Sequence, residues 1–393
     1  MVAPSADGPI ITACFNGSDL STTVVTALDL AGTLLWHRDF PGNPIPPRIG
    51  GDGTVWVAHR GPDGAAFTGL SANTGSTIRT VRPEHDPSEH LGALAILPDG
   101  FCASWLPADR FHVIPKESTA RVARHDIHGN SRWSTSAPLG PLSYPGVVEL
   151  SQNSRWRPEP KRPWNPRTIE AHHWEPLLVS SHRVAATFAD SSGIAVTFLT
   201  DAESGELVAA TEPAPSHHKA IIGPGEFLIG FQGYGAFSTT HYDDAGTALR
   251  TWPSHAMLLI DRHGAILGPE SENRLPSRSH FARLEPDGTV LRGPALSGYY
   301  TSYPALDLDG TAVFWRDTRL LAVDRDFETR ELLALKDEKR NIVSSILLLD
   351  AGRVAFALDN DVLIATNTGL APLDDGIWPC ANGGLGGNPV AYL

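Results

Sequence analysis

The chain of 393 residues holds 16 histidines, and six of them fall into four phrases of one shape. Each phrase begins with polar or imidazole side chains, continues as a short apolar run and ends at a turn: EHLGALAIL (89–97), HHWEPLLVS (172–180), HHKAIIG (217–223) and SHAMLLID (254–261). TSYPALDL (301–308) and SSILLLD (344–350) repeat the shape with Tyr303, Ser344 and Ser345 at its start, and Tyr300 just ahead. If such phrases converge on one axis, two chemistries open. Neutral imidazoles from His90, His173, His217 and His255 are the tentative donor set for Zn²⁺ or Fe²⁺, with metal–nitrogen distances of roughly 2.0–2.1 Å. Without a metal, His172, His217 and His218 can move protons near neutral pH, with Tyr300 and Tyr303 donating hydrogen bonds from the opposite side. The competing reading is plain solvation, because positions around a wet mouth are polar whatever the protein does.

A second feature lies directly before His172. The stretch SQNSRWRPEPKRPWNPRTIEA (151–171) is rich in Pro, Trp and cations. Loops of that length are uncommon in a compact fold unless they are functional or disordered. Hung over the same mouth, Arg155, Trp156, Arg157 and Trp164, with Trp174 and Lys219 nearby, would grip an anionic or aromatic small molecule. A solvated loop laying its tryptophans on the rim is the alternative.

The elements that must position these residues are read from a repeat. Strand, polar turn and second strand recur eight times: ALDLAGTLLWHRD (27–39), GLSANTGSTIRT (69–80), ARHDIHGNSRWST (123–135), TFLTDAESGELVAA (197–210), HYDDAGTALRTW (241–252), and more weakly RLEPDGTVLRG (283–293), AVDRDFETRELLAL (322–335) and LIATNTGLAP (363–372). Glycine supplies the positive φ of each tight reversal, and Asp or Asn bonds the nearby N–H groups. Further strand pairs lie between the hairpins, giving four strands per unit and a period of about 40–50 residues, that of a propeller blade. The expectation is an all-β propeller of eight four-stranded blades spanning 1–393 as a single domain, with the 151–171 insertion over one funnel mouth.

The stretch at 27–36 resembles the A-x-D-x-x-T-G-x-x-x-W repeat of pyrroloquinoline-quinone-like (quinoprotein alcohol dehydrogenase-like) β-propellers, and 123–133 and 197–207 follow it less closely. Trp36, Trp133 and Trp252 match the tryptophan that packs between blades in that family. IWPCANGGLGGN (377–388) is similar to a W-P segment with a later Asn near a terminus of those proteins. The resemblance implies a quinone, but no two of Cys14, Cys102 and Cys380 are adjacent, and no match to the family's calcium ligands or catalytic acid is found. Pyrroloquinoline quinone is therefore disfavoured. In arrangement alone, the histidine phrases are similar to the iron site of carotenoid-cleaving oxygenases and the zinc site of amidating-lyase propellers. NPVAYL (388–393) stops where an Asp-Gly turn is due and Asp7-Gly8 supplies one, so the C-terminal strand is expected to complete the N-terminal blade and close the ring.

A formal charge of −13 excludes the basic surface a nucleic acid or anionic membrane needs. No apolar run nears the roughly 18 residues of a membrane helix, and the start MVAPSADGPIITACF lacks a signal-peptide pattern, so a cytoplasmic protein is expected. Three functions follow. The first is a funnel enzyme of lyase, hydrolase or cyclase type; the second is a protein-binding scaffold; the third is a quinone-dependent dehydrogenase.

Overall fold

The computed structural model describes the chain except residues 17–21, 43–44, 62–63, 107–119, 138–169, 172–176, 190–193, 213, 216, 234–235, 253–256, 272–277, 298–301, 317, 336–339, 341 and 392–393. Eight antiparallel sheets follow one another in chain order and close into an eight-bladed propeller. Blade 3 shows the plan: His90–Leu97, Gly100–Leu106, Arg121–Asp126 and Ser131–Ser136, paired in that order from axis to rim. The first strands of successive blades touch one another, which identifies them as the innermost. No helix among the described residues is long and apolar enough to cross a membrane.

The repeated hairpin is the outer strand pair of each blade, and its turn is built as the sequence implies. In blade 1 the Asp29 carboxylate accepts the N–H groups of Ala31 (2.9 Å) and Thr33 (2.7 Å), and Gly32 takes φ +84°. The turn glycine also serves packing. Trp36 lies on the turn of blade 2 and donates its indole N–H to Ala72 O at 2.8 Å. A Cβ on Gly75 would stand 2.6 Å from that ring. Trp133 repeats the contact on blade 4, donating to Ala202 O at 3.2 Å over Gly205.

One match needs refining and two expectations need correction. Trp252 does face blade 6, beside Leu258, Ile266 and Leu284, but not in the register of the other two: the register that pairs Trp36 with Ala27 and Trp133 with Arg124 pairs Arg250 with His241. Arg250 therefore reaches toward Gly288, and Trp252 stands two residues further along. LIATNTGLAP gives only half a hairpin, because blade 8 has three strands, Leu347–Leu349, Arg353–Leu358 and Asp361–Ala365. After Gly369 (φ +70°) the chain leaves for the interior: Leu370 is buried in the core shared with blade 7, and Pro372 has no N–H for a ladder. Finally, NPVAYL does not join the N-terminal blade. Val390–Ala391 pair in parallel with Leu177–Ser180, the inner strand of blade 4. Blade 1 instead supplies its own inner edge through a bridge from Val2 to Ile11. The two terminal segments do meet, since Ala3 N–H donates to Leu385 O at 2.8 Å.

Candidate functional site: the axial funnel

Eight inner strands around an axis each turn one edge toward it, and an unpaired edge N–H buried without a partner is unfavourable. Residues 373–391 resolve that accounting for most of the ring. Leu373 N–H donates to Leu348 O of blade 8, and Asp374 N–H to Leu306 O of blade 7. The inner strands then donate to the tail in turn: Ile260 (blade 6) to Trp378 O at 2.9 Å, Leu306 to Pro379 O at 2.7 Å, Ile49 (blade 2) to Gly386 O at 2.9 Å and Val179 (blade 4) to Pro389 O at 2.9 Å. At blade 3 a side chain replaces the backbone: Asn388 Oδ1 accepts Ile96 N–H at 2.9 Å while its Nδ2 donates to Ile96 O at 2.8 Å. Trp378, 1% exposed, packs in the core beside Ala220 and Ile221 of blade 5. Gly386 and Gly387 allow the close approach, since a Cβ at either would stand 2.9 Å from Ile49 or 2.6 Å from Val2.

These contacts fall mainly at the ends of the inner strands, beside the turns into the second strands. The tail thus fills the axis beside those turns, and at blades 7 and 8 it reaches toward the strand starts, where Ala381 N–H donates to Pro304 O and Asn382 Nδ2 to Ser345 Oγ. His90 and the Asn388 contact at Ile96 are six residues apart on one strand, about 20 Å of extended chain.

The structure describes part of the expected set at or near the starts of inner strands. His90 begins the inner strand of blade 3, opposite Leu106, and the strand bulges between Leu91 and Ala93. His217 and His218 begin the inner strand of blade 5 (His217–Gly223), and Lys219 beside them is buried at 2% exposure. Tyr303 lies in a bulge of the inner strand of blade 7 (Ser302–Leu306). Its backbone is left-handed (φ +49°), and its N–H is turned onto Met257 Sδ at 3.2 Å. A non-glycine residue held there stores about 1–3 kcal/mol, and bulges of this kind re-aim side chains. Ser344 and Ser345 are buried: Ser344 Oγ accepts Ala357 N–H at 2.8 Å, and Ser345 Oγ accepts Asn382 Nδ2 at 2.8 Å. The Ser344 hydroxyl thus serves the pairing within blade 8, and that of Ser345 holds the tail.

His172, His173, His255, Tyr300, Arg155, Trp156, Arg157, Trp164 and Trp174 lie outside the described residues, as do the side chains of His217 and His218. Of the insertion, Glu170–Ala171 pair with Ala189 and Phe188 of blade 4. Among the described residues no group of three or more His, Cys, Asp or Glu is placed to hold a metal ion.

Two titratable clusters escaped the sequence reading. In the hub, Asp374 Oδ1 accepts the N–H groups of Arg262 (3.1 Å) and Gly376 (2.6 Å), and Asp307 accepts Asp309, Thr311 and Ala371 N–H groups. Burial raises both carboxyl pKa values above the ordinary range despite these bonds. Between blades 2 and 3, His85 stacks on Trp105 with ring centroids 4.7 Å apart. Arg121 lies over the same indole and grips Glu89 through two bonds of 2.6 Å. Trp105 donates its indole N–H to Nε2 of the buried His125 at 3.3 Å. The only sequence signal for the hub was the Trp-Pro and Gly-rich, Asn-bearing tail; nothing in spacing joined Asp307 to Asp374.

No protein-family model matches the sequence, and no curated protein matches it. Among solved structures the chain is similar to the Dos1 propeller (10% identity, 91% of this chain and 93% of that one, TM-score 0.49). It is also similar to a europium-containing methanol dehydrogenase (12% identity, 88% and 80%, TM-score 0.47) and to a streptogramin B lyase (12% identity, 80% and 91%, TM-score 0.42). The resemblance of the repeats to the quinoprotein-like family stands, accordingly, at the level of the propeller, and no activity is carried across from these proteins.

Proposed function

We propose that the protein is an enzyme acting on a small anionic or conjugated molecule at the open mouth of its axial funnel, through acid–base chemistry of the lyase, hydrolase or cyclase type. The observation that supports this reading is the tail, which packs along the axis against inner strands of blades 2, 3, 4, 6, 7 and 8; we take the axis to be closed at that end and entered from the other. A recess closed at one end excludes bulk water from its depth and offers a single route of entry, the geometry of small-molecule sites. Around that entry the chain spends its irregular backbone: the bulge after His90 and the left-handed Tyr303. In the proposed chemistry one mouth imidazole removes a proton from the substrate and a second returns one to the departing atom. The Tyr303 phenol donates a hydrogen bond to developing negative charge, and buried Lys219 gives the wall a positive charge. Zn²⁺ or Fe²⁺ is the ion such imidazoles would take, and it would act by polarising the substrate.

The test is turnover of a panel of small carboxylic acids, esters and lactones by untagged protein, its His172→Ala and His217→Ala variants, and elemental analysis of all three. Turnover lost in either variant, with unchanged urea unfolding, supports the assignment; near-stoichiometric metal lost in the variants identifies the metal-assisted form. Full turnover in both variants, or none by the parent on any substrate, contradicts it.

A further inference from the structure

Blade 8 stops one strand short, and the gap has a definite shape. In blades 2–7 the third strand is covered by a fourth. In blade 1, whose sheet has three strands with Val2 bridging Ile11 on the inner side, Thr22–Leu28 is likewise covered by Leu34–Pro41. Each of these covered strands buries at least one side chain, such as Val25, Phe67, Val122, Leu199, Thr239, Phe281 and Leu320. The third strand of blade 8, Asp361–Ala365, is as apolar as any, yet none of its residues is buried. The neighbouring blade is uncovered at the same place. Gly75, Gly205 and Gly246 are each met by a residue of the preceding blade's fourth strand (Trp36, Trp133 and Ala209), whereas Gly32 meets only the tip of Ile364, 3.9 Å from a Cβ placed there.

The carbonyls on that turn tell the same story. On blade 2, Ala72 O accepts the Trp36 indole N–H at 2.8 Å and Gly75 O accepts Arg38 at 2.9 Å. On blade 4, Ala202 O accepts Trp133 and Gly205 O accepts the Thr135 hydroxyl. The matching carbonyls of blade 1, Leu30 and Gly32, accept no hydrogen bond from the described residues. Among the described residues the two terminal segments do not fill this place, since residues 2–3 and 373–391 lie at the axis.

We infer that the outer edge of blade 8 is a docking slot for an extended segment of another protein, which adds antiparallel to Asp361–Ala365 as the missing fourth strand. The other blades specify the guest. Main-chain pairing supplies affinity and alternate side chains supply specificity. An indole or guanidinium opposite Ile364 covers Gly32 and reaches the Leu30 carbonyl, and a second donor two residues on, opposite Val362, reaches the Gly32 carbonyl. Charge selects a basic strand. Asp361 and Asp359 are exposed (side chains 68% and 43%) with Arg340 as their shared partner, half-buried Asp29 lies on the facing turn, and the chain carries −13 overall.

The probe is a fluorescein-labelled peptide of residues 33–40, the strand that blade 1 lays on blade 2, made basic by Asp39→Lys (Thr-Leu-Leu-Trp-His-Arg-Lys-Phe). Fluorescence anisotropy with the full chain should show saturable binding at one site. Binding should weaken about tenfold or more when the peptide's tryptophan becomes glycine, the loss expected for a buried aromatic anchor, and a peptide N-methylated at alternate amides should not bind. Hydrogen exchange should slow at Val362–Ala365 on peptide addition. No saturable binding, or protection confined to other blades, overturns the inference. So does a concentration-dependent dimer that protects these amides without peptide, which would give the slot to a second copy.

Discussion

His125 offers the sharpest test of the packing between blades 2 and 3. It is fully buried, its Nε2 accepts the Trp105 indole N–H at 3.3 Å, and its Nδ1 faces Gly129 O at 3.2 Å. This pairing fixes the neutral tautomer with the proton on Nδ1. Adding a proton to Nε2 would set it against the indole N–H. Burial is the main reason its pKa falls from 6.5 to about 4, with Arg121 acting in the same direction and the Gly129 carbonyl and Glu84 opposing. The sign follows from linkage. The unfolded chain takes up this proton near pH 6.5 and the folded one only near 4, so the neutral ring's contribution is intact above the first value and lost as pH falls toward the second. At pH 4.5 the loss is about 2.5 kcal/mol, and it approaches about 3 kcal/mol below both values. The assay is urea unfolding from pH 7.5 to 4.5 on the parent and on His125→Gln, which keeps an acceptor for Trp105 but cannot titrate. The parent should lose about 2.5 kcal/mol more than the variant across that range. Parallel curves would refute the reasoning.

Other outcomes follow from the same contacts. Asn388→Ala leaves the Ile96 N–H and C=O unpaired in the hub and should destabilise by about 2–4 kcal/mol in urea unfolding; Asn388→Asp, which sets a carboxylate against that carbonyl, should cost more. Gly75→Ala forces a Cβ to 2.6 Å from Trp36 at φ +66° and should cost about 2–4 kcal/mol, whereas Gly288→Ala, with only Arg250 3.7 Å away, should cost about 1 kcal/mol. Thermal unfolding of the pair separates crowding from backbone strain. Asp307 and Asp374 carry raised pKa values, so each favours the fold at low pH and loses that contribution as pH rises through its folded-state value. Asp374→Asn should remove the loss of stability that the parent shows as pH rises from the ordinary carboxylate value to the raised folded-state one, and leave the His125 slope untouched.

The blades were legible because their code is local. An Asp or Asn that caps its own turn and a glycine at positive φ are set by neighbouring residues, so even degenerate copies such as 283–293 could be placed. The order of inner strands, with His90 and His217 beginning two of them and Tyr303 in a third, followed from counting strands between turns. What failed depended on contacts distant in sequence. The direction of NPVAYL is set by unpaired edges on inner strands some 200 or more residues away, Val179 and Ile96 among them. Trp252 does face blade 6, but register decides which side chain covers the next blade's turn glycine, and a two-residue offset gave that place to Arg250. The fourth strand of blade 8 was misread because its turn is present: Asn367 and Gly369 take the left-handed backbone, and only Leu370 and Pro372 send the chain inward.

The central claim is that the C-terminal tail seals one end of the axis by taking up the edge amides of the inner strands. Residue-level hydrogen exchange on the full chain tests it most directly. Ile49, Ile96, Val179, Ile260 and Leu306 should exchange as slowly as amides in the middle of a blade, and Ile96 alone should speed up markedly in Asn388→Ala. Rapid exchange at all five in the parent protein, matching the open edges of the outermost strands, would contradict the hub and with it the blind funnel.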